Sequence, residues 1–415
     1  MSAEERFREV MKMCFRDRRY IFFLAGLFFA VLVLKPVIPG RFLIMIRPPE
    51  DRREEKVPQS HLVPVGQDMV TREIHRFIDD RVERATLSRR IYWKRDFSTL
   101  DKYLNGIERY REDLSKFYRV PEDCRSAEVP IRVSETFVGS VGDVDIHRWV
   151  LTLCNGQLTT VGLVGVRSGA KKPLPLVIAI HGTAGSPERI FGLDGKEDYH
   201  HRFALRLAER GYFVFAPLIV TELAANTHGS FNRSRNEVDN RGLSVGVRLA
   251  GIELGQIMGV IDYLLAGEVV DPHRVAVYGI SLGGFLAFNL AALDTRIGVV
   301  VVSQYFEDME GKFTGLEYPH PYWRYEDADY IFFQDILERF SSVDIASLIV
   351  PRKLFIEVGL QDPRVEPAKK NVREIKSIYS RLGLPEDSVQ LGLEKGGHEV
   401  FLKGSLQFLN RYLHP

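Results

Sequence analysis

Apolar runs of strand length alternate with longer segments of helical periodicity along most of the chain after residue 170. Near-continuous apolar runs are typical of strands that are buried on both faces of a sheet and joined by helices. The alternation therefore predicts an α/β fold, with a mostly parallel sheet and helices on both of its faces. The predicted strands are Leu174–Ile180, Tyr212–Ala216, Val275–Tyr278, Gly298–Ser303, Lys353–Val358 and Val389–Leu393, and the predicted helices are His201–Arg210, Leu249–Leu265, Gly284–Leu293 and Val400–Tyr412.

A different pattern precedes this region. Residues Arg132–Arg167 alternate apolar and polar side chains on either side of Asn155-Gly156. Alternation with a period of two indicates half-buried strands, and an Asn-Gly pair is a strong signal for a hairpin turn. We therefore expect an antiparallel N-terminal hairpin that enters the sheet.

The N-terminus contains an uncharged apolar run, Tyr20–Leu34, which continues beyond Lys35 to Ile38. As a helix this run would be roughly 23–28 Å long, close to the bilayer core of about 30 Å. We predict a transmembrane anchor at residues 20–38, preceded by a basic N-terminal segment at residues 1–19. A cleaved signal peptide and a buried core helix are the alternatives, although no small-residue cleavage site follows the run.

Basic residues flank the apolar run on both sides and orient it only weakly. Those that precede it favour a cytoplasmic N-terminus, which would put the main domain on the exported side of the membrane. The preceding residues are Lys12, Arg16, Arg18 and Arg19, and the following ones are Lys35, Arg41, Arg47, Arg52 and Arg53.

The rest of the chain divides into a linker at residues 39–68, a helical extension at residues 69–130 and an α/β domain at residues 131–415. Within the extension, apolar residues recur at helical spacing, most clearly in Thr99–Phe117, and we expect them to pack on the α/β domain. Binding of a partner by these helices is the alternative. An aromatic-rich insertion at residues 304–349 is predicted to form a cap or a pocket wall, in which the aromatic side chains either contact substrate or form the core of the cap.

The composition excludes some classes of protein. The 415 residues carry 56 Lys and Arg against 55 Asp and Glu, a net charge of +1, so the chain has no electrostatic footprint for nucleic acid. The three cysteines, Cys14, Cys124 and Cys154, are too few for a disulfide scaffold and have no zinc-ligand spacing. Whether Cys124 and Cys154 pair stays open.

The stretch Arg274–Phe285 carries the strongest chemical signal. A buried strand enters Gly279-Ile280-Ser281-Leu282-Gly283, and a helix leaves it. This is the G-x-S-x-G pattern in the context that its chemistry requires, because a sharp strand-to-helix turn exposes the serine as a nucleophile. Such a turn has no room for a side chain on either side of the serine, and Gly279 and Gly283 have none. Ser281 is therefore the predicted nucleophile.

An acid and a histidine follow in the chain order that a serine elbow needs. Asp362 lies just past the strand Lys353–Val358, and His398 lies on a Gly-rich loop after the last strand. We predict that His398 accepts the proton of Ser281 and that Asp362 orients the imidazole. Glu366 is a competing acid, but it lies at the start of the next helix.

The loop after the strand Leu174–Ile180 is expected to complete the site around the serine. His181-Gly182-Thr183 follows the strand Leu174–Ile180, and we expect the backbone N–H groups of Thr183 and Leu282 to form an oxyanion hole, supported by His181 and Gly182.

No metal site is predicted, because the dipeptide His200-His201 lacks metal-ligand spacing. The arginines of a polar loop would either bind an anionic substrate or be solvated, the second being favoured; they are Arg233, Arg235 and Arg241.

The motifs His181–Gly185, Gly279–Gly284, Gly359–Pro363 and Gly396–Glu399 together resemble the α/β-hydrolase superfamily, from about Trp149 to the C-terminus. The resemblance implies the α/β-hydrolase fold and hydrolysis of a carboxylic ester without a metal or an organic cofactor.

The sequence around Ile349–Leu354 is similar to that of a narrower branch of this superfamily, the dienelactone hydrolase and acetyl xylan esterase-like enzymes. Pro351 matches that branch, whereas Arg352 and Lys353 depart from it, which weakens any inference about the substrate. The expected substrate is an ester of a small acyl group or of a carbohydrate-linked acyl group. The alternatives are a peptidase of the prolyl-oligopeptidase type, a membrane lipase or acyltransferase, and a non-catalytic binding protein.

Overall fold

A nine-stranded sheet forms the centre of the part of the chain that the structure, a computed structural model, describes: residues 65–124, 130–221, 235–314 and 331–414. The strand order is β1-β2-β3-β5-β4-β6-β7-β8-β9. The first three strands and the β3–β5 pair are antiparallel, and all other neighbours are parallel. The strands are β1 Arg132–Val141, β2 Val144–Leu153, β3 Leu158–Arg167, β4 Leu174–Ile180, β5 Phe213–Pro217, β6 Val270–Ile280, β7 Val299–Ser303, β8 Lys353–Gly359 and β9 Val389–Glu394.

Helices cover both faces of this sheet, as the alternating pattern predicts. One hydrophobic cluster lies under α2, α6, α7, α10 and α11, and a second lies under α3, α4 and α12. The helices are α1 Val65–Tyr92, α2 Leu100–Tyr118, α3 Pro187–Ile190, α4 Phe203–Ala208, α5 Arg235–Leu243, α6 Leu249–Leu265, α7 Leu282–Leu293, α8 Met309–Thr314, α9 Ile336–Arg339, α10 Ser342–Ser347, α11 Val365–Arg381 and α12 Lys403–Leu413.

The N-terminal antiparallel region has three strands rather than the two of a single hairpin. The predicted turn joins β2 to β3, with Asn155 and Gly156 both at positive φ (54° and 84°). A second turn at Gly142 joins β1 to β2. The alternation in β1 is weak because most of that strand is exposed, so its side chains do not separate into a buried and a solvated face.

The helical extension packs on the α/β domain through α2. Tyr103, Ile107, Tyr110 and Leu114 are buried along one face of α2, and the Thr99 side chain caps its N-terminus. The core interpretation of this helix is therefore supported. Helix α1 begins at Val65, so the last four residues of the predicted linker, 65–68, are helical rather than extended.

The predicted membrane anchor at residues 20–38 lies outside the described residues, as do the basic segment at residues 1–19 and most of the linker. None of the helices in the described part of the chain is both long and apolar enough to cross a membrane.

Cys124 and Cys154 form a disulfide. The bridge joins the short 3-10 turn Glu122–Cys124 to the turn between β2 and β3. The pairing that the sequence leaves open is thus present in the structure, and it ties the end of the helical extension to the antiparallel edge of the sheet.

Candidate active site

Ser281 occupies a strained turn between β6 and α7. Its backbone has φ 57° and ψ −117°, a conformation that a residue with a side chain rarely adopts. The turn is held on both sides, since Ser281 N donates to Ser303 O of the neighbouring strand at 2.9 Å and Phe285 N donates to Ser281 O at 2.9 Å. The serine side chain is thereby directed out of the backbone at the C-terminal edge of the sheet, as the elbow motif requires.

The two glycines of the motif sit where no side chain fits. A Cβ on Gly279 would lie 2.0 Å from the carbonyl oxygen of Gly283. A Cβ on Gly283 would lie 2.1 Å from the carbonyl oxygen of Ile180 and 2.5 Å from that of His181. These neighbours are backbone atoms that cannot rotate away, so glycine at 279 allows the turn to close on itself and glycine at 283 allows it to lie against β4.

We expect Gly283→Ala to lower the free energy of unfolding by about 1–3 kcal/mol or more, because the added methyl group displaces the elbow from β4. The same displacement should lower turnover. Gly298→Ala is the matched control, since a Cβ there would lie at an ordinary 3.7 Å from its nearest neighbour, Val275 O. Urea unfolding of the two variants beside wild type measures the difference. Equal stability of the two variants would contradict the packing that the structure shows.

His398 and Asp362 are hydrogen bonded. The Nδ1 atom of His398 lies 3.0 Å from Oδ2 of Asp362, whose side chain is only 1% exposed, whereas that of His398 is 38% exposed. Glu366, the competing acid, is 78% exposed and pairs with Lys369 at 2.7 Å in the first turn of α11. The structure therefore brings together His398 and Asp362 and leaves Glu366 on the surface.

The surroundings of Asp362 keep its carboxylate ionised. Burial raises its pKa, but the hydrogen bond to His398 and the charge of Arg364 outweigh this and bring the pKa down to about 2. One terminal nitrogen of Arg364 lies 3.0 Å and 2.9 Å from the two carboxylate oxygens. The Nε atom of the same Arg364 side chain contacts Glu307 at 3.3 Å, and Glu307 in turn contacts Lys312 at 3.7 Å. Charges of alternating sign thus extend from the acid into the interior.

A buried glutamate supports the loop that carries His398, and the sequence reasoning missed it. Glu357, on β8, accepts hydrogen bonds from Phe401 N at 3.2 Å, from Tyr278 Oη and Ser303 Oγ at 2.9 Å each, and from Ser405 Oγ at 2.9 Å. Burial raises its pKa. The sequence does show one acidic residue inside an otherwise apolar strand. A buried carboxylate needs several hydrogen-bond donors around it, so this residue indicates a polar cluster at that position.

The loop after β4 lies beside the elbow. His181 is fully buried there, with Nδ1 2.9 Å from Gly182 O and Nε2 accepting from Ile219 N at 3.4 Å. Burial lowers its pKa to about 4, so the ring is neutral and serves the backbone rather than chemistry. Thr183 follows this pair, and Leu282 opens α7, where the first backbone N–H groups of a helix lack helical partners.

His200, His201 and Arg235 have structural partners. Neither residue of the His200-His201 pair belongs to a metal-ligand group, and the described ranges contain no such group. His200 is buried beside Asp198, and His201 pairs with Glu399 at 2.7 Å. Arg235 is also buried and forms a two-pronged ion pair with Glu253, at 2.7 Å for each contact, so for this residue the expectation of a solvated side chain is wrong. Arg241 is exposed, and Arg233 lies outside the described residues.

The aromatic insertion is described only at its two ends. Phe306 and Phe333 are buried there, and Phe333 packs edge-on against Tyr118 with 4.8 Å between ring centroids. These two side chains belong to the hydrophobic cluster under α2, α6 and α7, and the role of the insertion as a cap or a pocket wall stays a prediction. The aromatic residues of segment 315–330 lie outside the described residues.

Comparisons with known proteins agree with this architecture. Residues 223–374, which include Ser281 and Asp362, match the Prolyl oligopeptidase family. The Bacillus subtilis (strain 168) protein named "Putative hydrolase YtaP" is 26% identical over 260 residues, which cover 58% of this chain and 79% of that protein. This chain is a serine hydrolase with the α/β-hydrolase fold.

Solved structures show the same fold. A "putative acetyl xylan esterase" from Bacteroides fragilis NCTC 9343 has a TM-score of 0.58 at 18% identity, covering 72% of this chain and 77% of that one. A glucuronoyl esterase from Solibacter usitatus has a TM-score of 0.53 at 14% identity, covering 78% of this chain and 97% of that one. At these identities the likeness is one of fold.

Proposed function

We propose that this chain is an esterase that cleaves a carboxylic ester through an acyl-enzyme on Ser281. The observation that carries the proposal is the strained serine elbow at the same edge of the sheet as the hydrogen-bonded His398 and Asp362. A backbone strain of this kind persists only where the surrounding structure enforces it, and it is typical of functional sites.

The chemistry follows from the positions of these groups. The Ser281 hydroxyl oxygen attacks the ester carbonyl carbon while His398 accepts the hydroxyl proton and then delivers it to the leaving alcohol. Asp362 accepts a hydrogen bond from Nδ1–H of His398, which leaves Nε2 as the proton acceptor. The N–H groups of Leu282 and Thr183 stabilise the negative charge that develops on the carbonyl oxygen. Water then attacks the acyl carbon while His398 accepts its proton. The bond from that carbon to the Ser281 oxygen breaks, and His398 returns the proton to this oxygen as the acid leaves.

The comparisons support an ester as the substrate and favour a small or carbohydrate-linked acyl group. The neighbouring structures are named acetyl xylan, glucuronoyl and methyl esterases.

A panel of esters tests the proposal. Purified protein is assayed with nitrophenyl esters of increasing chain length, with acetylated xylan oligosaccharides and with long-chain lipid esters, and Ser281→Ala is the blank. We expect turnover of the acetyl esters that falls as the acyl chain lengthens. Activity confined to long-chain esters would instead identify a lipase, and a folded protein without any ester activity would contradict the proposal.

A peptidase of the prolyl-oligopeptidase type is the second candidate, favoured by the family match to residues 223–374. The described residues before the sheet form two helices and a short turn, not the repeated strands of a propeller domain. A prolyl-coumarin peptide in the same panel separates the two: its cleavage at a rate above that of acetyl esters would favour the peptidase.

We further propose that residues 20–38 anchor the protein in a membrane and that the catalytic domain lies on the exported side. Support comes from the uncharged run Tyr20–Leu34 and from the Cys124–Cys154 disulfide, because disulfides persist mainly in oxidising compartments.

Deleting residues 1–64 should move the enzyme from the membrane fraction to the soluble fraction with its ester activity retained, because this cut leaves α1 whole. Fractionation of cells that express the full-length and the shortened protein measures the change. An insoluble or inactive shortened protein would instead make the apolar run a part of the folded core.

A further inference from the structure

The loop His181–Gly185 has several of its peptide groups held in place. Gly182 O accepts hydrogen bonds from His181 Nδ1 at 2.9 Å and from Gly185 N at 3.1 Å. In a trans peptide the C=O and the N–H of the next residue point in opposite directions. Fixing Gly182 O therefore fixes the direction of the Thr183 N–H, one of the two proposed oxyanion donors.

Two side chains outside the loop hold the adjacent peptide groups. Gly182 N donates to Nε2 of His200 at 3.0 Å, and Tyr199 Oη donates to Thr183 O at 2.5 Å. The loop also packs closely on the His200 ring, since a Cβ on Gly185 would lie 2.8 Å from it.

The protonation state of His200 follows from its partners. A backbone N–H can only donate, so Nε2 of His200 must be an unprotonated acceptor, and the ring proton lies on Nδ1. Nδ1 faces both carboxylate oxygens of Asp198, at 3.0 Å and 2.9 Å. Burial lowers the pKa of His200, in agreement with a neutral ring.

The same short segment also contacts the loop that carries His398. Val400 N donates to Tyr199 O at 2.9 Å, and His201 Nε2 lies 2.7 Å from a carboxylate oxygen of Glu399. The two residues that follow His398, Glu399 and Val400, are therefore tied to the segment that holds the loop His181–Gly185. The ring centroids of Tyr199 and His398 are 6.0 Å apart.

We propose that His200, oriented by Asp198, is a positioning residue for the oxyanion donor Thr183 N–H, and that segment 198–201 sets the spacing between this donor and His398. The inference rests on the proposed serine esterase function. Because the oxyanion forms only in the transition state, a displaced donor lowers kcat and leaves substrate binding nearly unchanged.

Paired substitutions at His200 test the proposal in the purified full-length protein. His200→Gln puts an amide oxygen within reach of Gly182 N, whereas the shorter His200→Asn does not. We expect His200→Asn to lower kcat by about 10–100-fold, somewhat less than the complete loss of an oxyanion donor, and to change KM by no more than about twofold. His200→Gln should recover most of the lost kcat.

His147→Asn is the matched control. His147 also pairs with a carboxylate, Glu135 at 2.7 Å, but on β2, away from the elbow, and this variant should keep the wild-type kcat. Two results would overturn the proposal: an unchanged kcat in His200→Asn, or equal losses in His200→Asn and His200→Gln that follow only the fraction of folded protein.

Hydrogen exchange separates this proposal from the proposed function. Amides of the loop His181–Gly185 should exchange faster in His200→Asn than in wild type and His200→Gln, whatever the substrate is. Unchanged exchange would show that His200 does not hold the loop, and would overturn the inference even in an active esterase. A wild type that cleaves no ester but shows the expected exchange pattern would instead contradict the proposed function.

Discussion

Replacing Ser281 with alanine is expected to lower kcat for ester hydrolysis by about 10⁶-fold, because loss of the nucleophile removes the acyl-enzyme route completely. The substitution should leave the fold intact. The strained backbone at this position tolerates alanine as it tolerates serine, and the two hydrogen bonds that hold the turn come from the backbone.

The residual rate is part of this prediction. Oxyanion stabilisation and substrate binding survive the substitution, so some acceleration over the uncatalysed reaction should remain. Steady-state kinetics beside a thermal unfolding curve measures both quantities. An alanine variant that folds like wild type and keeps more than a small part of its activity would exclude Ser281 as the nucleophile.

Replacing Asp362 with asparagine should lower kcat by about 10⁴-fold while KM changes little. The asparagine side chain can turn its amide group toward Nδ1 of His398 and donate to it. The ring then carries its proton on Nε2 and cannot accept the proton of Ser281. Glu366→Gln is the matched control, since Glu366 is exposed and pairs with Lys369. A fully active Asp362→Asn beside an inactive Glu366→Gln would show that the acid is Glu366.

The same substitution has a consequence for acid stability. The folded-state pKa of Asp362 is lowered to about 2, below the value of about 3.9 for an unfolded chain. Its ionised form therefore contributes stability above the unfolded value, and this contribution is lost as pH falls through that value toward the folded one. Urea unfolding of wild type and Asp362→Asn should show a stability difference at neutral pH that shrinks on acidification. A difference that does not depend on pH would contradict the ion pairing around Asp362.

The elements that were predictable from the sequence are those specified by adjacent residues. The elbow is one, because strand, turn glycines and helix follow one another within Arg274–Phe285. Helix α6 is another, since its apolar positions extend over all of Leu249–Leu265 and its observed bounds are the predicted ones. The positions of Asp362 and His398 at strand ends follow from the alternation of strands and helices in the same way.

The elements that the sequence did not reveal depend on distant partners. Glu357 is supported by Tyr278 and Ser405, which lie far from it along the chain. His201 meets Glu399 across nearly two hundred residues. Such pairs can be recognised only when the fold brings the two residues together. For this reason the sequence of His200-His201 did not indicate its contacts with the loop His181–Gly185 and with the loop that carries His398.

The burial of Arg235 also depends on a partner that is distant in the sequence. A polar, arginine-containing loop has the composition of a solvated segment, but the guanidinium of Arg235 is buried against Glu253 of α6. The partner that permits this burial lies in an apolar helix, in which a single glutamate was the available signal.

The most direct test of the account is labelling of the purified protein with a fluorophosphonate probe, followed by identification of the modified peptide. Such probes react with a serine that is activated by a neighbouring base and faces an oxyanion hole. We expect rapid labelling of wild type at Ser281 and none of Ser281→Ala. A folded wild type that resists the probe, or labelling at another serine, would contradict the assignment of the active site to this elbow.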